Sequence, residues 1–374
     1  MTTATTTHTP VLQFVDTLIP GGAERLATVL AIRLDTERFA PSVACFRDGA
    51  LAADLAEAGR PLHIVPKRRS FDFGLVLSLV RLVRRHRIAL VHCHDIQSAI
   101  YGTMAARLTR VPAVLTVHGV KLFKQKRAGT VLPRLGRWMH RVVFVGHWLQ
   151  SVAEAEFGIT PRHPVVVHNG VDVQTFCPGD PDPELMRELA IAPGSPVVGT
   201  VGNLRPVKDY PCLVRAFAVA LRQVPDAVLV FVGDGDERPR LESLARELGI
   251  QGSVRFAGAR ADVARMLRVF GVFALSSQTE GISVALLEAM ATGLPAVVTD
   301  TGGNPEVVAE GRTGHLAPVG DPDALGAALA DLLADTARRR AWGEAARRSV
   351  VDDFSLNQMI QGYESIYNTL IPQH

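Results

Sequence analysis

The sequence has few cysteines, and none lies in a pattern that would give it a structural task. The four occur far apart and without C-x-x-C spacing, at Cys45, Cys93, Cys177 and Cys212. Isolated cysteines of this kind indicate a reducing compartment and no structural zinc site. We therefore expect a cytoplasmic protein.

Long apolar runs are also missing. The longest candidates, such as Phe73–Val80, fall far short of the ~18 residues that span a bilayer. The first ten residues, MTTATTTHTP, have neither a basic n-region nor an apolar h-region. They predict a disordered tail and not a signal peptide. The length of 374 residues exceeds what one core usually supports, so two domains are expected.

Acidic residues are nearly absent from residues 61–150. Sixteen Lys and Arg stand there against only Asp72 and Asp95, a formal charge of +14 in a chain whose total is +3. Such a segment attracts anions: lipid headgroups, phosphorylated acceptors or nucleic acid. Part of it, residues 122–141, mixes these charges with Leu, Val, Trp and Met, as membrane-surface segments do.

Two alternatives remain for this basic segment. The charges also fit solvated helix faces with Arg in their last turns. Because Gly129 and Pro133 interrupt any long helix, residues 122–141 also fit a surface loop plus a short helix. We expect salt-sensitive, peripheral binding to an anionic membrane surface, and no nucleic-acid partner.

Short Val-rich runs alternate with helical patterns along the chain, which predicts parallel sheets covered on both faces. Candidate strands are Val11–Thr17, Ser42–Phe46, Leu62–Pro66, Ala89–His94, Ala113–His118, Val142–Gly146, Val197–Val201, Val228–Val232, Ser253–Ala257, Val272–Leu275, Ala296–Thr299 and His315–Pro318. Candidate helices include Ala23–Leu34, Leu75–His86, Ile100–Leu108 and Ser355–Leu370. The prediction is α/β: two Rossmann-like, doubly wound parallel-sheet domains facing across a cleft. Prolines cluster in Phe176–Ile191, so we place the domains at 1–178 and 179–352, with a final helix in 353–374.

Glu280 and Glu288 carry the strongest functional signal. Glu288 lies inside an apolar helix pattern, where a carboxylate is costly to bury without a ligand or counter-ion. A neighbouring Arg or the hydroxyls of a ribose would satisfy it. Glu280 precedes Gly281, which lets the chain approach a ligand, and the amides that follow offer a phosphate cradle. The alternative is a capping box formed by Ser277 and Glu280, but Ser283 is the better N-cap.

The segment VGNLRPVKDY opens the second half of the chain. Arg205 and Lys208 follow a strand that ends near Gly202 and Asn203, and Asp209 is a candidate N-cap of the next helix. Two cations beside free helix amides predict a diphosphate site. The alternative is a pair of solvated loop charges.

Histidines and glycines supply weaker signals. His118 ends a candidate strand, where it could hydrogen-bond or donate a proton. His92 and His94 face the same side of another strand, and we expect ordinary hydrogen-bonded histidines there in preference to a metal site. Gly21–Gly22 begins a helix without the G-x-G-x-x-G spacing of dinucleotide sites. Asp234-Gly-Asp236 fits a tight turn better than a metal-binding D-x-D.

Together these residues resemble retaining glycosyltransferase family 4 of the GT-B fold, the glycosyl transferases group 1. The matching segments, in the order of the family and over nearly the whole chain, are GGAE at 21–24, His118, HNGVD at 168–172, GNLRPVKDY at 202–210, VGDG at 232–235, E-x7-E at 280–288 and GGNPE at 302–306. One departure is Gly146, where the family often has Ser. It puts a hydroxyl contact at that position in doubt.

The resemblance implies a role for each matching residue. Arg205 and Lys208 would neutralise the diphosphate of a nucleotide-sugar, and Glu288 would hold the ribose. Glu280 and the backbone of Gly281, Ile282 and Ser283 would contact the transferred sugar and phosphates. His118 would lie by the sugar. Gly21 and Gly22 would line the cleft, and Gly202 and Asn203 would border the donor. The final helix would return to the first domain.

The implied activity is transfer of a hexose-type sugar to an acceptor hydroxyl, with retention and without a metal or other cofactor. The fixed cations would stabilise the leaving diphosphate, and the donor phosphate would help to deprotonate the acceptor. The acceptor stays open between a sugar, a lipid-linked glycan and a small molecule. Two other activities remain: a nucleotide-sugar 2-epimerase, and a degenerate nucleotide-sugar-binding protein without catalysis.

Overall fold

The computed structural model describes residues 8–69, 71–123 and 128–371. The chain forms two compact units. The described residues up to His168 and those from Met359 onward make the first unit, and Asn169–Gln358 make the second. The domain boundaries predicted from the sequence, at 178/179 and 352/353, remain predictions. Residues 1–7 of the predicted tail lie outside the described residues, whereas Thr9 and Pro10 belong to the first strand.

The first unit is built on a parallel sheet of seven strands, in the order β3-β2-β1-β4-β5-β6-β7. Its strands are β1 Thr9–Thr17, β2 Phe39–Arg47, β3 Leu62–Ile64, β4 Leu90–Cys93, β5 Ala113–Val117, β6 Arg141–Phe144 and β7 Pro164–Val166. Its helices are α1 Gly22–Arg33, α2 Ala52–Glu57, α3 Phe73–Arg85, α4 Ile96–Thr109, α5 Ala128–Trp138 and α6 His147–Ala155. Strand β7 was not predicted, because three residues that begin with proline give no periodic signal.

The two faces of this sheet have different contents. Leu12 and Phe14 of β1 point into an apolar core shared with helices α3, α4 and α5. Gln13 lies between them in sequence and points to the opposite face, since side chains alternate along a strand. That opposite face receives the last helix, α15 Leu356–Leu370, whose Tyr363 and Tyr367 are fully buried.

The second unit has a parallel sheet of six strands in the order β10-β9-β8-β11-β12-β13. Its strands are β8 Val197–Val201, β9 Val228–Val232, β10 Val254–Gly258, β11 Val272–Leu275, β12 Ala296–Thr299 and β13 Gly314–Ala317. Its helices are α7 Pro183–Glu188, α8 Tyr210–Leu221, α9 Arg238–Glu247, α10 Val263–Leu267, α11 Val284–Ala291, α12 Asn304–Val307, α13 Pro322–Ala334 and α14 Thr336–Asp353. Apolar clusters lie on both faces of the sheet, which confirms the predicted doubly wound arrangement.

Candidate functional site

The strand order of the second unit places two loops side by side. From β8 the chain moves outward to β9 and β10, and it then returns to pair β11 with the other side of β8. In open parallel sheets, ligands bind beyond the carboxyl ends of the strands at such a reversal. The loop after β8 carries Arg205 and Lys208, and the loop after β11 carries Glu280. Sequence positions 72 residues apart therefore meet at this reversal point.

Lys208 and Glu280 form an ion pair there. The ammonium group of Lys208 donates to Oε1 of Glu280, and the Ser277 hydroxyl donates to the same oxygen over 3.3 Å. Only 20% of the Lys208 side chain and 15% of the Glu280 side chain are exposed. Removal from water strengthens a charge-assisted bond of this kind. The sequence did not predict that these two residues would bind each other.

Backbone and hydroxyl contacts fix the two loops around the pair. The Gln278 N–H donates to the Val207 carbonyl over 2.9 Å. The Ser276 hydroxyl donates to the carbonyls of Lys208 and Asp209 over 2.9 and 2.8 Å. Neither loop can move without breaking bonds to the other.

A third loop, after β12, approaches Glu280 from the other side. The Gly303 N–H donates to the Glu280 carbonyl over 3.3 Å. Gly302 has φ +59°, and a Cβ at this position would lie 1.7 Å from the same carbonyl oxygen. Only glycine allows this approach. The GGNPE segment therefore shapes the loop that holds Glu280.

Arg205 lies on the same loop as Lys208, but its side chain is exposed. It has no ion-pair partner among the residues that the structure describes. Arg205 itself is extended, and Pro206–Lys208 form one 3-10 turn before α8. Asp209 occupies the N-cap position with φ +45°, and its side chain makes no capping bond. The predicted side-chain cap is therefore wrong, whereas the predicted start of the helix is confirmed.

Beneath this loop lies a buried tyrosine. The hydroxyl of Tyr210, the first residue of α8, is 2.9 Å from where a Cβ of Gly202 would stand. Burial raises the pKa of Tyr210 to about 12, so the phenol stays neutral. Asn203 next to Gly202 is exposed.

Helix α11 carries the second glutamate. Ser283 is its N-cap, and its hydroxyl accepts from the Leu286 N–H over 3.4 Å, as predicted. Gly281 is partly exposed and Ile282 is buried. Glu288 lies in the middle of α11 and is half-buried, not enclosed as its apolar sequence neighbours suggested.

In the first unit, Gly21 is the N-cap of α1 and Gly22 is exposed. The Glu24 carboxylate approaches Gly21, so that a Cβ there would lie 2.4 Å from Oε2. A carboxylate at the start of a helix is stabilised by the helix dipole. Gly146, the departure from the family pattern, is the N-cap of α6 and supplies no side-chain bond.

His118 directly follows β5 and is half-buried. Its Nε2 lies 3.3 Å from Nδ1 of His94. Desolvation lowers the pKa of His118 to about 3, so the ring is neutral at physiological pH. His92 and His94 are fully hydrogen-bonded, which confirms the ordinary role predicted for them.

Two family models match consecutive parts of the chain. Glycosyltransferase Family 4 matches residues 20–175, and Glycosyl transferases group 1 matches residues 181–349. N-acetyl-alpha-D-glucosaminyl L-malate synthase of Bacillus anthracis is 32% identical over 304 residues, 79% of each chain. The chain belongs to glycosyltransferase family 4.

Further relatives cover nearly the full length of this glycosyltransferase. The UDP-Gal:alpha-D-GlcNAc-diphosphoundecaprenol alpha-1,3-galactosyltransferase of Escherichia coli is 26% identical over 94% of both chains. The crystal structure of Anabaena HepE in complex with UDP superposes with a TM-score of 0.85 at 24% identity, over 96% of this chain and 100% of that one. The likeness shows that the fold is GT-B.

Groups of metal-binding side chains and helices able to cross a membrane are both absent from the part of the glycosyltransferase that the structure describes. Within residues 8–69, 71–123 and 128–371, no three His, Cys, Asp or Glu side chains gather where they could hold a metal ion. Asp234-Gly-Asp236 lies in the predicted turn between β9 and α9, and the Asp234 carboxylate accepts from the Gly235 N–H over 2.8 Å. None of the described helices combines the length and the apolarity needed to cross a membrane.

Proposed function

We propose that this glycosyltransferase moves a hexose-type sugar from a nucleotide-diphosphate-sugar to an acceptor hydroxyl, with retention and without a metal ion. The observation that carries the proposal is the Lys208–Glu280 pair at the reversal point of the second sheet. A shielded cation and carboxylate lie next to the exposed cation of Arg205. This is the charge arrangement that a leaving diphosphate and a neutral sugar require.

Lys208 exchanges partners when the donor binds. Without a donor, its positive charge is balanced by Glu280. A diphosphate carries more negative charge than one carboxylate, so it attracts the ammonium away from Glu280 or shares it. Arg205 provides the second cation, and Glu280 becomes available to accept a hydrogen bond from a sugar hydroxyl. As the glycosidic bond breaks, both cations stabilise the charge that develops on the diphosphate.

The remaining roles come from the family resemblance. We propose that Glu288 accepts bonds from the ribose hydroxyls and that the Gly281–Ser283 amides contact the phosphates. Gly202, Asn203, Gly21 and Gly22 contribute to donor binding, and His118 lies by the transferred sugar. The donor phosphate takes the proton of the acceptor hydroxyl on the face from which the diphosphate leaves. The anomeric configuration of the product, determined by NMR, tests this step, since an inverted product would exclude it.

A ligand screen tests the donor site. We expect one class among UDP-, GDP-, ADP- and TDP-sugars to raise the melting temperature and to be turned over in the presence of EDTA. Arg205→Ala and Lys208→Met should each lower kcat/KM by about 10²-fold, which is typical for removal of a charge-stabilising group. Arg222→Ala is the matched control, because Arg222 is exposed at the other end of α8. Equal losses in Arg222→Ala would contradict the assignment.

Glu280→Gln separates binding from transfer. Without the competing carboxylate, Lys208 is fully available to phosphate oxygens. We therefore expect the variant to bind the nucleoside diphosphate at least as tightly as the wild type while transfer falls about 10²-fold. Calorimetry and steady-state kinetics measure the two effects. Weaker diphosphate binding in Glu280→Gln would contradict the exchange of partners.

The acceptor is proposed from the relatives. The acceptor in the name of the E. coli relative is a diphosphoundecaprenol-linked sugar, which supports a role in cell-envelope glycan, polysaccharide or glycoconjugate biosynthesis. Incubation of donor alone separates transfer from the 2-epimerase activity, which needs no acceptor. A chain that binds nucleotide-sugar but changes neither donor nor acceptor would be the degenerate binder.

A lipid-linked acceptor suits a cytoplasmic protein at the inner membrane face, and we propose an anionic membrane surface as a further partner. Helices α3, α4 and α5 pack side by side in the first unit. The outer face of α3 exposes Phe73 by 72% and Leu77 by 54%, followed one turn later by Arg81. On α5, Trp138 is 46% exposed, and the Arg107 guanidinium lies 4.8 Å from its ring centre. Apolar groups flanked by arginines match a bilayer interface.

Lys124, Lys126 and Arg127 of the same basic segment lie outside the described residues. The proposal therefore depends on α3 and is tested there. We expect Arg81, Arg84 and Arg85 changed together to Gln to reduce sedimentation with vesicles of anionic lipid at low salt. The matched control changes the exposed Arg222, Arg246 and Arg312 of the second unit to Gln, with the same loss of charge. Equal recovery with neutral and anionic vesicles would exclude the proposal.

A further inference from the structure

A chain of polar side chains crosses the core of the first unit. Gln13 of β1 and His92 of β4 are partners in the sheet register, so their side chains lie on the same face. His94 points to that face as well, and α15 covers it with two tyrosines. All members except the half-buried His118 are 0–1% exposed. In bonded order they are His118, His94, Gln13, Tyr367, His92, Thr116 and Tyr363.

Every link lies within hydrogen-bonding distance. His118 Nε2 is 3.3 Å from His94 Nδ1, and His94 Nε2 is 2.8 Å from the Gln13 Oε1. The Gln13 Nε2 donates to the Tyr367 hydroxyl over 3.1 Å. Beyond it, Tyr367 is 2.6 Å from His92 Nδ1, His92 Nε2 is 2.8 Å from the Thr116 hydroxyl, and that hydroxyl is 3.2 Å from Tyr363.

The groups in this chain are neutral. Desolvation lowers the pKa of His92 and His94 well below the ordinary value, and it raises the pKa of Tyr363 and Tyr367. A neutral imidazole has one N–H and one acceptor nitrogen. Each bond in the chain therefore fixes the direction of the next.

The amide of Gln13 sets that direction. Its Oε1 carries no hydrogen, so His94 Nε2 must be the donor to it. His94 Nδ1 is then an acceptor, and the bond to His118 requires the proton on His118 Nε2. The Nδ1 of His118 is left without a proton. If the Gln13 amide were turned over, every bond would reverse and His118 would carry its proton on Nδ1.

We propose that Gln13, acting through His94, is a positioning residue that holds His118 in its Nε2–H form and leaves Nδ1 as a hydrogen-bond acceptor. An acceptor nitrogen binds a hydroxyl and repels a phosphate oxygen. If the proposed function holds, His118 thus recognises a hydroxyl of the sugar and not the diphosphate. Tyr367 has a supporting role, because its hydroxyl oxygen accepts the Gln13 N–H in this orientation of the amide.

The tautomer can be read directly in the full chain. Two-bond 1H–15N correlation spectra of 15N-histidine-labelled protein distinguish the Nε2–H and Nδ1–H forms, and the signals of His118 are assigned by their loss in His118→Gln. We expect Nε2–H in the wild type and Nδ1–H or a mixture in Gln13→Met. Gln150→Met is the matched control, since Gln150 lies in the same unit and its side-chain amide donates to Glu154, outside the chain of polar side chains. An Nδ1–H wild type would overturn the proposal.

A second pair of variants keeps the test decisive if Gln13→Met does not fold. Tyr367→Phe removes the acceptor of the Gln13 N–H, so that neither orientation of the amide has a partner there, and a mixture of tautomers is expected at His118. Tyr363→Phe makes the same change one helical turn earlier, beyond the link to Gln13, and should keep the single Nε2–H form. If Gln13→Met folds and keeps the pure Nε2–H form, the proposal is overturned; if it does not fold, a pure Nε2–H form in Tyr367→Phe overturns it.

Kinetics separate this inference from the proposed function. Loss of one ligand hydrogen bond corresponds to about tenfold in kcat/KM, which we expect in Gln13→Met but not in Gln150→Met. The spectra need no substrate. If the spectra are as expected but the wild type has no transferase activity, only the proposed function is refuted. If Gln13→Met keeps full activity and the wild-type His118 spectrum, only the positioning role is refuted.

Discussion

Asp95 lies where β4 ends and α4 begins, and its carboxylate caps that helix. It accepts from the N–H groups of Gln97 and Ser98 over 2.8 Å each, and from that of Asp16 over the same distance. Burial outweighs these bonds and raises the pKa of Asp95 to about 6. A helix cap in this unit therefore changes charge close to physiological pH.

We predict that Asp95→Asn alters how stability depends on pH. Between the ordinary carboxyl pKa of 3.8 and the folded value of about 6, the folded protein binds the proton and the unfolded chain does not. Stability from this group is therefore present below pH 3.8 and is lost as the pH rises to 6, by ~3 kcal/mol. Asn keeps an oxygen that can accept from the Gln97 and Ser98 N–H groups and does not ionise, while its amide nitrogen cannot accept from the Asp16 N–H. The melting temperature of Asp95→Asn, relative to that of the wild type, should therefore rise as the pH increases from 4.5 to 7.

Asp182 provides the comparison for this measurement. It caps α7 in the same manner, but the side-chain bond from Arg265 lowers its pKa. Its stabilising effect is complete above pH 3.8 and is lost only below it. Asp182→Asn should therefore shift the melting curve by the same amount at each pH from 4.5 to 7. Parallel curves for Asp95→Asn would contradict the raised pKa.

At the scale of elements, the loop after β12 is predicted to tolerate no side chain at Gly302. Alanine there is strained by the positive φ and also collides with the Glu280 carbonyl. We expect Gly302→Ala to displace Glu280 and to reduce transfer by about 10²-fold. Gly311→Ala is the matched control, because Gly311 has φ +69° and open space around it. It should lose only ~1 kcal/mol of stability and keep its activity.

The end of α11 offers a second test. The Arg347 guanidinium donates to the carbonyl of Ala291, the last residue of α11, and to those of Phe176 and Val173 over 2.6 and 2.8 Å. Arg347→Met leaves these carbonyls without a donor, which should cost about 3 kcal/mol by chemical denaturation. The neighbouring Arg348 is exposed, so Arg348→Met should change stability little. Similar losses in both variants would show that Arg347 acts only through its charge.

Most elements of this fold were predictable from local pattern. The Val-rich runs at β8, β9, β11 and β12 have the predicted bounds, because a buried parallel strand is apolar throughout. The last helix begins at Leu356, one residue after its predicted start. Such bounds depend on the local sequence alone, so they can be predicted without knowledge of the tertiary contacts.

The contacts within the site were less predictable. The sequence indicated Lys208 and Glu280 separately, but their pairing requires β11 to lie beside β8, and no local pattern encodes that order. The role of Gln13 was not predicted, since its partner Tyr367 is 354 positions away. A buried glutamine inside an apolar strand was the one clue that the sequence contained.

At the scale of the whole molecule, the two units differ in whether they are formed from one continuous segment of the chain or from two. The second unit, Asn169–Gln358, is one continuous stretch, whereas the first needs residues from both ends of the chain. We expect a 169–358 fragment to fold alone and to bind the nucleoside diphosphate. A 1–168 fragment should not fold well, because Gln13, His92 and Thr116 would lose their tyrosine partners. Melting curves and amide exchange of each fragment provide the measurement.

A linked fragment provides the control. Residues 8–168 joined through a Gly/Ser linker to 356–371 should recover a cooperative transition. Changing both tyrosines of that second piece to Phe should remove much of the gain. Cooperative folding of 1–168 by itself would contradict the dependence on α15.

This arrangement also has a consequence for synthesis on the ribosome. The first unit is translated first, but α15 leaves the ribosome only after the entire second unit has emerged. Until then, the face of the first sheet that carries Gln13 and His92 is exposed to solvent, and water hydrates its polar groups. In the complete fold, both residues are buried. The first unit is thus completed last. Packing of α15 onto its sheet is the step that commits the nascent chain to its native state.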